Sequence, residues 1–161
     1  MQLAGYVPTI KDRVAQMAAV IVLEAVFEAD LMEEQYAYRP KRSAQDAVRT
    51  VHGWLNRGYT DVVDADLSRY FDTIPHHELM RCVARRVSDG AMLSLIKAWL
   101  EMAVEEEDGR GHKRRTTENT DNGRGTPQGA PISPLLANLY MRRSCWAGSN
   151  RGGTASYKPV S

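Results

Sequence analysis

Three carboxylates, Asp64, Asp66 and Asp72, punctuate Val-Val-Asp-Ala-Asp-Leu-Ser-Arg-Tyr-Phe-Asp at residues 62–72. Carboxylate oxygens are hard donors of the kind Mg²⁺ prefers. Alternate residues of an extended strand share a face, so Asp64 and Asp66 could hold one ion between them. The same residues also suit a solvated strand-to-loop junction that binds nothing, and spacing alone does not choose between the two. A second candidate runs Arg-Gly-Thr-Pro-Gln-Gly-Ala-Pro-Ile-Ser-Pro-Leu-Leu-Ala-Asn-Leu-Tyr, residues 124–140. Its glycines flank Pro127 and Gln128 and allow the backbone to approach a flat or charged partner, such as a nucleic-acid base or phosphate, just where a capped helix begins. A plain Gly/Pro turn remains the alternative. His76 and His77 read as surface residues at a helix start and receive no role. Cys82 and Cys145 lack metal-ligand spacing and read as free thiols.

The elements around these residues follow from periodicity. Thr9 with Asp12 three residues later caps a helix over about Ile10 to Glu28, with Val14, Ala18, Ile21, Val22 and Ala25 as its buried face. Ser43 with Asp46 opens Ala44 to Asn56, whose stripe is Ala44, Val48, Val51 and Leu55, and Gly58 ends it. Tyr59 to Asp66, short and Val-rich, reads as a strand delivering its acidic residues at one end. Leu79, Val83 and Val87 predict one helix; after Ser88-Asp89-Gly90, the spacing of Met92, Leu95, Ile96, Trp99 and Leu100 predicts another. Trp54 and Trp99 read as packing residues rather than base-stacking platforms. Glu105 to Asn122 is almost wholly polar and predicts an exposed hairpin or loop turning at Asp108-Gly109. Ser133 as N-cap and Pro134 as first residue start a last helix.

With 161 residues, 43% hydrophobic and 25% charged, the chain has the composition of one soluble globular domain. No apolar run approaches the roughly 20 residues that cross a bilayer, and no basic-then-apolar leader opens the chain, so no membrane partner and a cytoplasmic location are expected. Net charge is +1 but unevenly spread: 12 Lys/Arg face 18 Asp/Glu through Asp108, and 9 face 2 from Gly109 onward. A basic second part suits contact with phosphates, and equally a solvated basic hairpin.

Together the two candidate segments resemble the reverse transcriptases encoded by group II introns, also called intron maturases. Val-Pro-Thr-Ile-Lys-Asp-Arg-Val-Ala-Gln (7–16) and Tyr-Ala-Tyr-Arg-Pro-Lys-Arg-Ser-Ala-Gln-Asp-Ala (36–47) are similar to that family's fingers blocks, and all four stretches stand in the family's order across about Val7 to Arg143. The resemblance implies an α+β fold, a partial and incomplete fingers (1–58) and palm (59–143), with helices packed on a small antiparallel sheet. It implies an RNA-directed DNA polymerase using two Mg²⁺ ions for nucleotidyl transfer, with intron RNA or an RNA template, a DNA primer and a dNTP as partners. By it, Asp66 is the catalytic and metal-binding aspartate and the Leu67 carbonyl a further ligand. Phe71 excludes a ribose 2′-OH, and Pro127, Gln128 and Gly129 line the templating base pair. Asp64 and Asp72 stay structural or support the ligands from behind. Arg39, Lys41 and Arg42 are candidates for RNA phosphates, a solvated loop being the alternative.

The sequence departs from the family in three places. The Tyr-x-Asp-Asp hairpin that completes the family's site has no counterpart, nor do its thumb, maturase and endonuclease domains. Leu-Ala-Gly-Tyr-Val-Pro (3–8) stands where the family reads Arg-x-Leu-Gly-Ile-Pro, so an arginine expected on the incoming triphosphate is missing. Loss of these carboxylates implies a chain inactive alone: a non-catalytic intron-RNA-binding remnant, a pseudogene product without a stable fold, or one half of a split enzyme. Finally, Ser-Cys-Trp-Ala-Gly-Ser (144–149) replaces the family's Phe-Val-Leu-Gly-Trp-Lys. A codon run TTC GTG CTG GGC TGG AAG that loses one T encodes the observed residues, so 144–161 is expected to be an unrelated, frameshifted and disordered tail. Sequencing the coding DNA checks this. Restoring one base before codon 144 is expected to open a frame reaching Tyr-x-Asp-Asp, and a downstream frame without that motif overturns the frameshift.

Overall fold

The computed structural model describes residues 9–62, 66–102, 104–107, 113–116, 121–127 and 129–149. Thr9 starts the first helix, α1 (Ile10–Phe27), by accepting a hydrogen bond from the Asp12 backbone N–H at 3.2 Å. The helix forms as its capping signal predicts, but a different face is buried. Gln16, Ala19, Leu23 and Phe27 point inward, while Val14, Ile21 and Val22 are 64%, 66% and 58% exposed. The reason is that α1 carries apolar residues around most of its circumference. Helical spacing finds two stripes there, and the one bearing Leu23 and Phe27 is the one that enters the core.

A 3-10 turn, Glu28–Asp30, ends α1 and leads into a loop held together from within. Helix α2 (Ala44–Asn56) then begins on a complete capping box: the Ser43 Oγ accepts from the Asp46 N–H, and the Asp46 carboxylate accepts from the Ser43 N–H. Its limits match the sequence expectation, yet α2 contributes no buried residue. The expected inward stripe of Val48, Val51 and Leu55 is exposed. Gly58, at φ 94°, turns the chain away after the helix, and Trp54 packs its ring 5.6 Å from that of Tyr59.

Tyr59–Val62 belongs to no strand, contrary to expectation, and 63–65 lies outside the described residues. Extended chain becomes a strand only when a neighbouring strand takes up its N–H and C=O groups; the Tyr59 N–H instead turns back to the Trp54 carbonyl at 3.2 Å, and among the described residues no strand pairs with Tyr59–Val62. Arg69, in the left-handed region at φ 53°, bends the chain into the short helix α3 (Tyr70–Thr73). Helices α4 (His76–Val83) and α5 (Gly90–Leu100) follow, the latter capped by Asp89, whose carboxylate accepts from the Met92 N–H at 2.6 Å. Strands β1 (Val104–Glu107) and β2 (Lys113–Thr116) pair antiparallel, with Glu105 opposite Arg115 and Glu106 opposite Arg114, so the acidic arm meets the basic one as expected; the Asp108-Gly109 turn lies outside the described residues. Helix α6 (Ser133–Ser149) closes the fold. It continues into the stretch expected to be a tail, while 150–161 lies outside the described residues.

Among the described residues the architecture is mostly helical, and its strands form one two-stranded ribbon. Helix α4 packs on α5 and α6, and α1 packs on α6. The core they enclose is one cluster that includes Leu23, Phe27, Ile74, Leu79, Ile96 and Leu136, with Trp99 buried in it as read from the sequence. The expected division at residue 58 is therefore bridged, since α1 and α6 share that core. Replacing Phe27 by Ala is expected to cost about 3–5 kcal/mol, the usual result of removing a buried aromatic ring. Ile21→Ala, on the exposed stripe, is expected to stay within about 1 kcal/mol. Urea denaturation of both variants checks which stripe of α1 faces inward, and equal losses would reverse the assignment.

Candidate functional site

The two chemically suggestive segments meet. The chain leaving α3 runs beside the chain approaching α6, joined by hydrogen bonds from the His76 N–H to the Gly123 carbonyl at 2.8 Å, the Gly125 N–H to the Ile74 carbonyl at 2.8 Å, and the Thr126 N–H to the Phe71 carbonyl at 2.7 Å. Pro75 and Arg124 form an isolated antiparallel bridge within this joint. Ile74 and Thr126 are buried, so these backbone groups have only each other. Gly125, buried at φ 94°, supplies a bend that a side chain would strain.

Side chains lock the joint from both sides. The His76 Nε2 lies 2.7 Å from the Gly125 carbonyl. A carbonyl oxygen only accepts, so Nε2 carries the proton. His76 is 8% exposed, which corrects the sequence reading of a surface residue, and His77 alone of the pair faces solvent. A doublet conceals which member points inward; the signal that separates them is Pro75, which starts α4 with His76 on the side of Leu79. The buried Ser133 donates its hydroxyl to the Pro127 carbonyl at 2.7 Å, tying the turn back onto α6. Tyr70 reaches across to the same helix, its hydroxyl donating to the Ala137 carbonyl at 2.9 Å.

Around this joint the expected site residues fall as follows. Asp66 and Leu67 are exposed on the strand-free approach to α3. Phe71 is half-buried, packed against the core and edge-on to Tyr70 with centroids 5.9 Å apart. Pro127 is buried, and Gly129, at φ 84°, is exposed on the far side of the turn. Gln128 and Asp64 lie outside the described residues. Asp72 is exposed, with the Arg69 Nε 3.6 Å from its carboxylate.

The basic loop divides in two. Arg39 is turned inward: its Nε and one terminal nitrogen grip the Glu28 carboxylate at 3.3 and 2.6 Å, and the other donates to the Gln35 carbonyl at 2.8 Å and to the Met32 carbonyl. Its side chain is 5% exposed, so Arg39 holds the loop rather than a phosphate, and the Arg39 hydrogen bond keeps the Glu28 carboxyl below its ordinary range. Lys41 remains exposed at φ 59°, and the Arg42 guanidinium lies 5.6 Å above the Tyr36 ring. Lys41 is thus the exposed member of the trio, and Arg42 is half-buried against Tyr36.

Asp66 and Asp72 are the carboxylates of the acidic segment that lie among the described residues. Mg²⁺ takes about six oxygen ligands in near-octahedral array. Among the described residues no three acidic, histidine or cysteine side chains converge, and Asp66 stands as one exposed carboxylate. These residues alone do not fit a bound ion, and no reaction step is derived through one.

The model of the family described as reverse transcriptase (RNA-dependent DNA polymerase) matches residues 5–145. The chain belongs to that family. Protein YkfC of Escherichia coli is 37% identical over 140 residues, covering 84% of this chain and 34% of its own length. Group II intron-encoded protein LtrA of Lactococcus lactis is 33% identical over 135 residues, covering 84% of this chain and 21% of its own. Nuclear intron maturase 1 of Arabidopsis thaliana is 30% identical over 120 residues, covering 74% and 16%. This reverse transcriptase chain thus spans about a third or less of the relatives it matches, and its likeness runs to group II intron-encoded proteins and intron maturases, as the four sequence blocks imply. Replacing His76 by Ala is expected to cost about 1–3 kcal/mol, the penalty for stranding a buried carbonyl. His77→Ala is expected to change stability by less than about 0.5 kcal/mol. Thermal or urea unfolding of the pair checks this, and indistinguishable variants would remove His76 from the joint.

Proposed function

We propose that the chain is a portion of a group II intron reverse transcriptase, bringing part of the fingers and palm, which binds RNA and does not polymerise DNA alone. The joint between the segment after Asp66 and the segment before Gln128 carries the proposal. Its hydrogen bonds join the chain that follows Asp66 to the chain that precedes Gln128, which supports reading the two segments as parts of one polymerase cleft. In this reading the small antiparallel sheet expected of the palm is completed by chain beyond these elements. Two-metal nucleotidyl transfer belongs to the complete protein, to which this chain brings Asp66 and the Leu67 carbonyl. Phe71 and the Pro127–Gly129 turn shape the nucleotide and template side, with an RNA template, a DNA primer and a dNTP as substrates. RNA binding asks less than turnover, because phosphate contact needs only accessible positive charge, which the exposed Lys41 and the half-exposed Arg42 stacked on Tyr36 offer.

Two measurements on the full chain test this. Primer extension on an RNA template is expected to give no product with the chain alone, and product when a second polypeptide carrying a Tyr-x-Asp-Asp hairpin is added, falling to background with Asp66→Asn. Extension that survives Asp66→Asn would overturn the role of that carboxylate. Filter binding of single-stranded RNA is expected to weaken with salt. Two phosphate contacts from Lys41 and Arg42 contribute about 1.4 to the logarithmic slope, roughly sevenfold between 50 and 200 mM salt. Lys41→Gln with Arg42→Gln removes that share, and an unchanged slope would move RNA binding off this loop.

A further inference from the structure

Asp30, at the end of α1, lies under a cluster of arginines from two other elements. Arg86, in the turn after α4, donates from its Nε at 2.8 Å and from a terminal nitrogen at 2.5 Å, a two-pronged grip on the carboxylate. Arg142 of α6 brings a terminal nitrogen to 3.5 Å from the same Asp30 oxygen that Arg86 holds, so the two guanidinium groups are neighbours. Arg85 is exposed and near enough to act on Asp30 electrostatically. The Arg86 hydrogen bond, first among these influences, keeps the Asp30 carboxyl below the ordinary aspartate range, so it stays charged at neutral pH.

The burial pattern sets what the surface presents. The Asp30 side chain is 11% exposed, whereas those of Arg86 and Arg142 are 52% and 44% exposed. The one negative charge sits beneath, and three positive charges sit above it. Subtracting one from three leaves an excess of two. Arg86 spends one edge of its guanidinium on Asp30 and keeps its remaining N–H groups outward, in an orientation the buried carboxylate fixes. A donor held in place before binding loses little freedom when a phosphate arrives.

From this we infer that Arg85, Arg86 and Arg142 form a second phosphate-binding site for RNA backbone, separate in sequence from the Lys41–Arg42 loop and preorganised by Asp30. The inference rests on the RNA-binding reading above. Asp30 is a positioning residue; the arginines make the contact.

Salt-dependent filter binding of an oligouridylate to the full 161-residue chain tests it. Arg85→Gln leaves the hydrogen bonds between Arg86 and Asp30 in place, and is expected to lower the logarithmic salt slope by about 0.7 at unchanged melting temperature. Arg85→Gln with Arg142→Gln is expected to lower it by about 1.4. Asp30→Asn tests the positioning: it removes the negative charge beneath the cluster, making the surface more positive, while loosening the two-pronged hold on Arg86, so weaker binding supports preorganisation and tighter binding overturns it. A slope unchanged in both arginine variants, with the Lys41/Arg42 variant still reducing it, overturns this site and leaves the RNA reading intact. Absence of any salt-dependent binding by the parent chain overturns both. Polyglutamate binding that requires Arg85 and Arg142, alongside an unaffected oligouridylate slope, overturns the RNA assignment in favour of an acidic protein partner.

Discussion

Buried backbone polar groups must find partners, and that requirement shapes the centre of this molecule. Between Phe71 and His76 the chain is neither strand nor long helix, so it cannot satisfy itself. It draws instead on Gly123–Thr126, about fifty residues away, which has the same need. Each segment is ordered only because the other is present. An unpaired buried N–H or C=O costs about 1–3 kcal/mol, so the several bonds at the joint make partial separation unfavourable. His76 extends the arrangement by binding the Gly125 carbonyl, and Ser133 adds a second donor to the Pro127 carbonyl, which also accepts from the Ala130 N–H. The turn is thereby held on one side by α4 and on the other by α6.

Helix α6 is the element to which the remaining parts are fastened. It takes the Tyr70 hydroxyl on the Ala137 carbonyl and packs against α4 and α1. It also holds the loop after α1 in both directions: Gln35 donates to the Asn138 carbonyl, and the Asn138 amide donates to the Ala37 carbonyl. Arg39 completes that loop from inside, using the fan of N–H donors that only arginine has to join the Glu28 carboxylate to two backbone carbonyls. Lysine, a point charge on a flexible stem, would not span those acceptors. This basic loop therefore uses one of its arginines for its own shape.

Much of the helical framework was legible in the sequence because its signals are local. The capping box at Ser43, the Asp89 break and the period of Ile96, Trp99 and Leu100 each act within a few residues, and α2 has its expected limits. What was hidden depends on distant chain. The buried side of α1 follows from where α6 lies, since both stripes of α1 are apolar. Among the described residues no strand edge neighbours Tyr59–Val62, and whether such an edge is present is recorded by no residue in that segment. Arg39 looked like a phosphate ligand because its charge is readable and its partner Glu28, eleven residues earlier, is not. The candidate site divided the same way: its two segments were recognisable as motifs, while the hydrogen bonds uniting them required the fold.

Binding and turnover make different physical demands, and the described residues meet them unequally. Phosphate affinity grows with each outward guanidinium or ammonium group and tolerates an incomplete cleft, because counterion release is nearly independent of the other contacts. Nucleotidyl transfer needs several carboxylates placed together, and among the described residues no three acidic, histidine or cysteine side chains converge. Meanwhile the elements that orient positive charge, the Asp30 anchor and the Arg39-braced loop, are fastened to the same core as the joint. Positive charge held outward by such anchors and a convergent set of carboxylates are therefore separable features of a fold, since the first needs only local ion pairs and the second needs distant segments brought together.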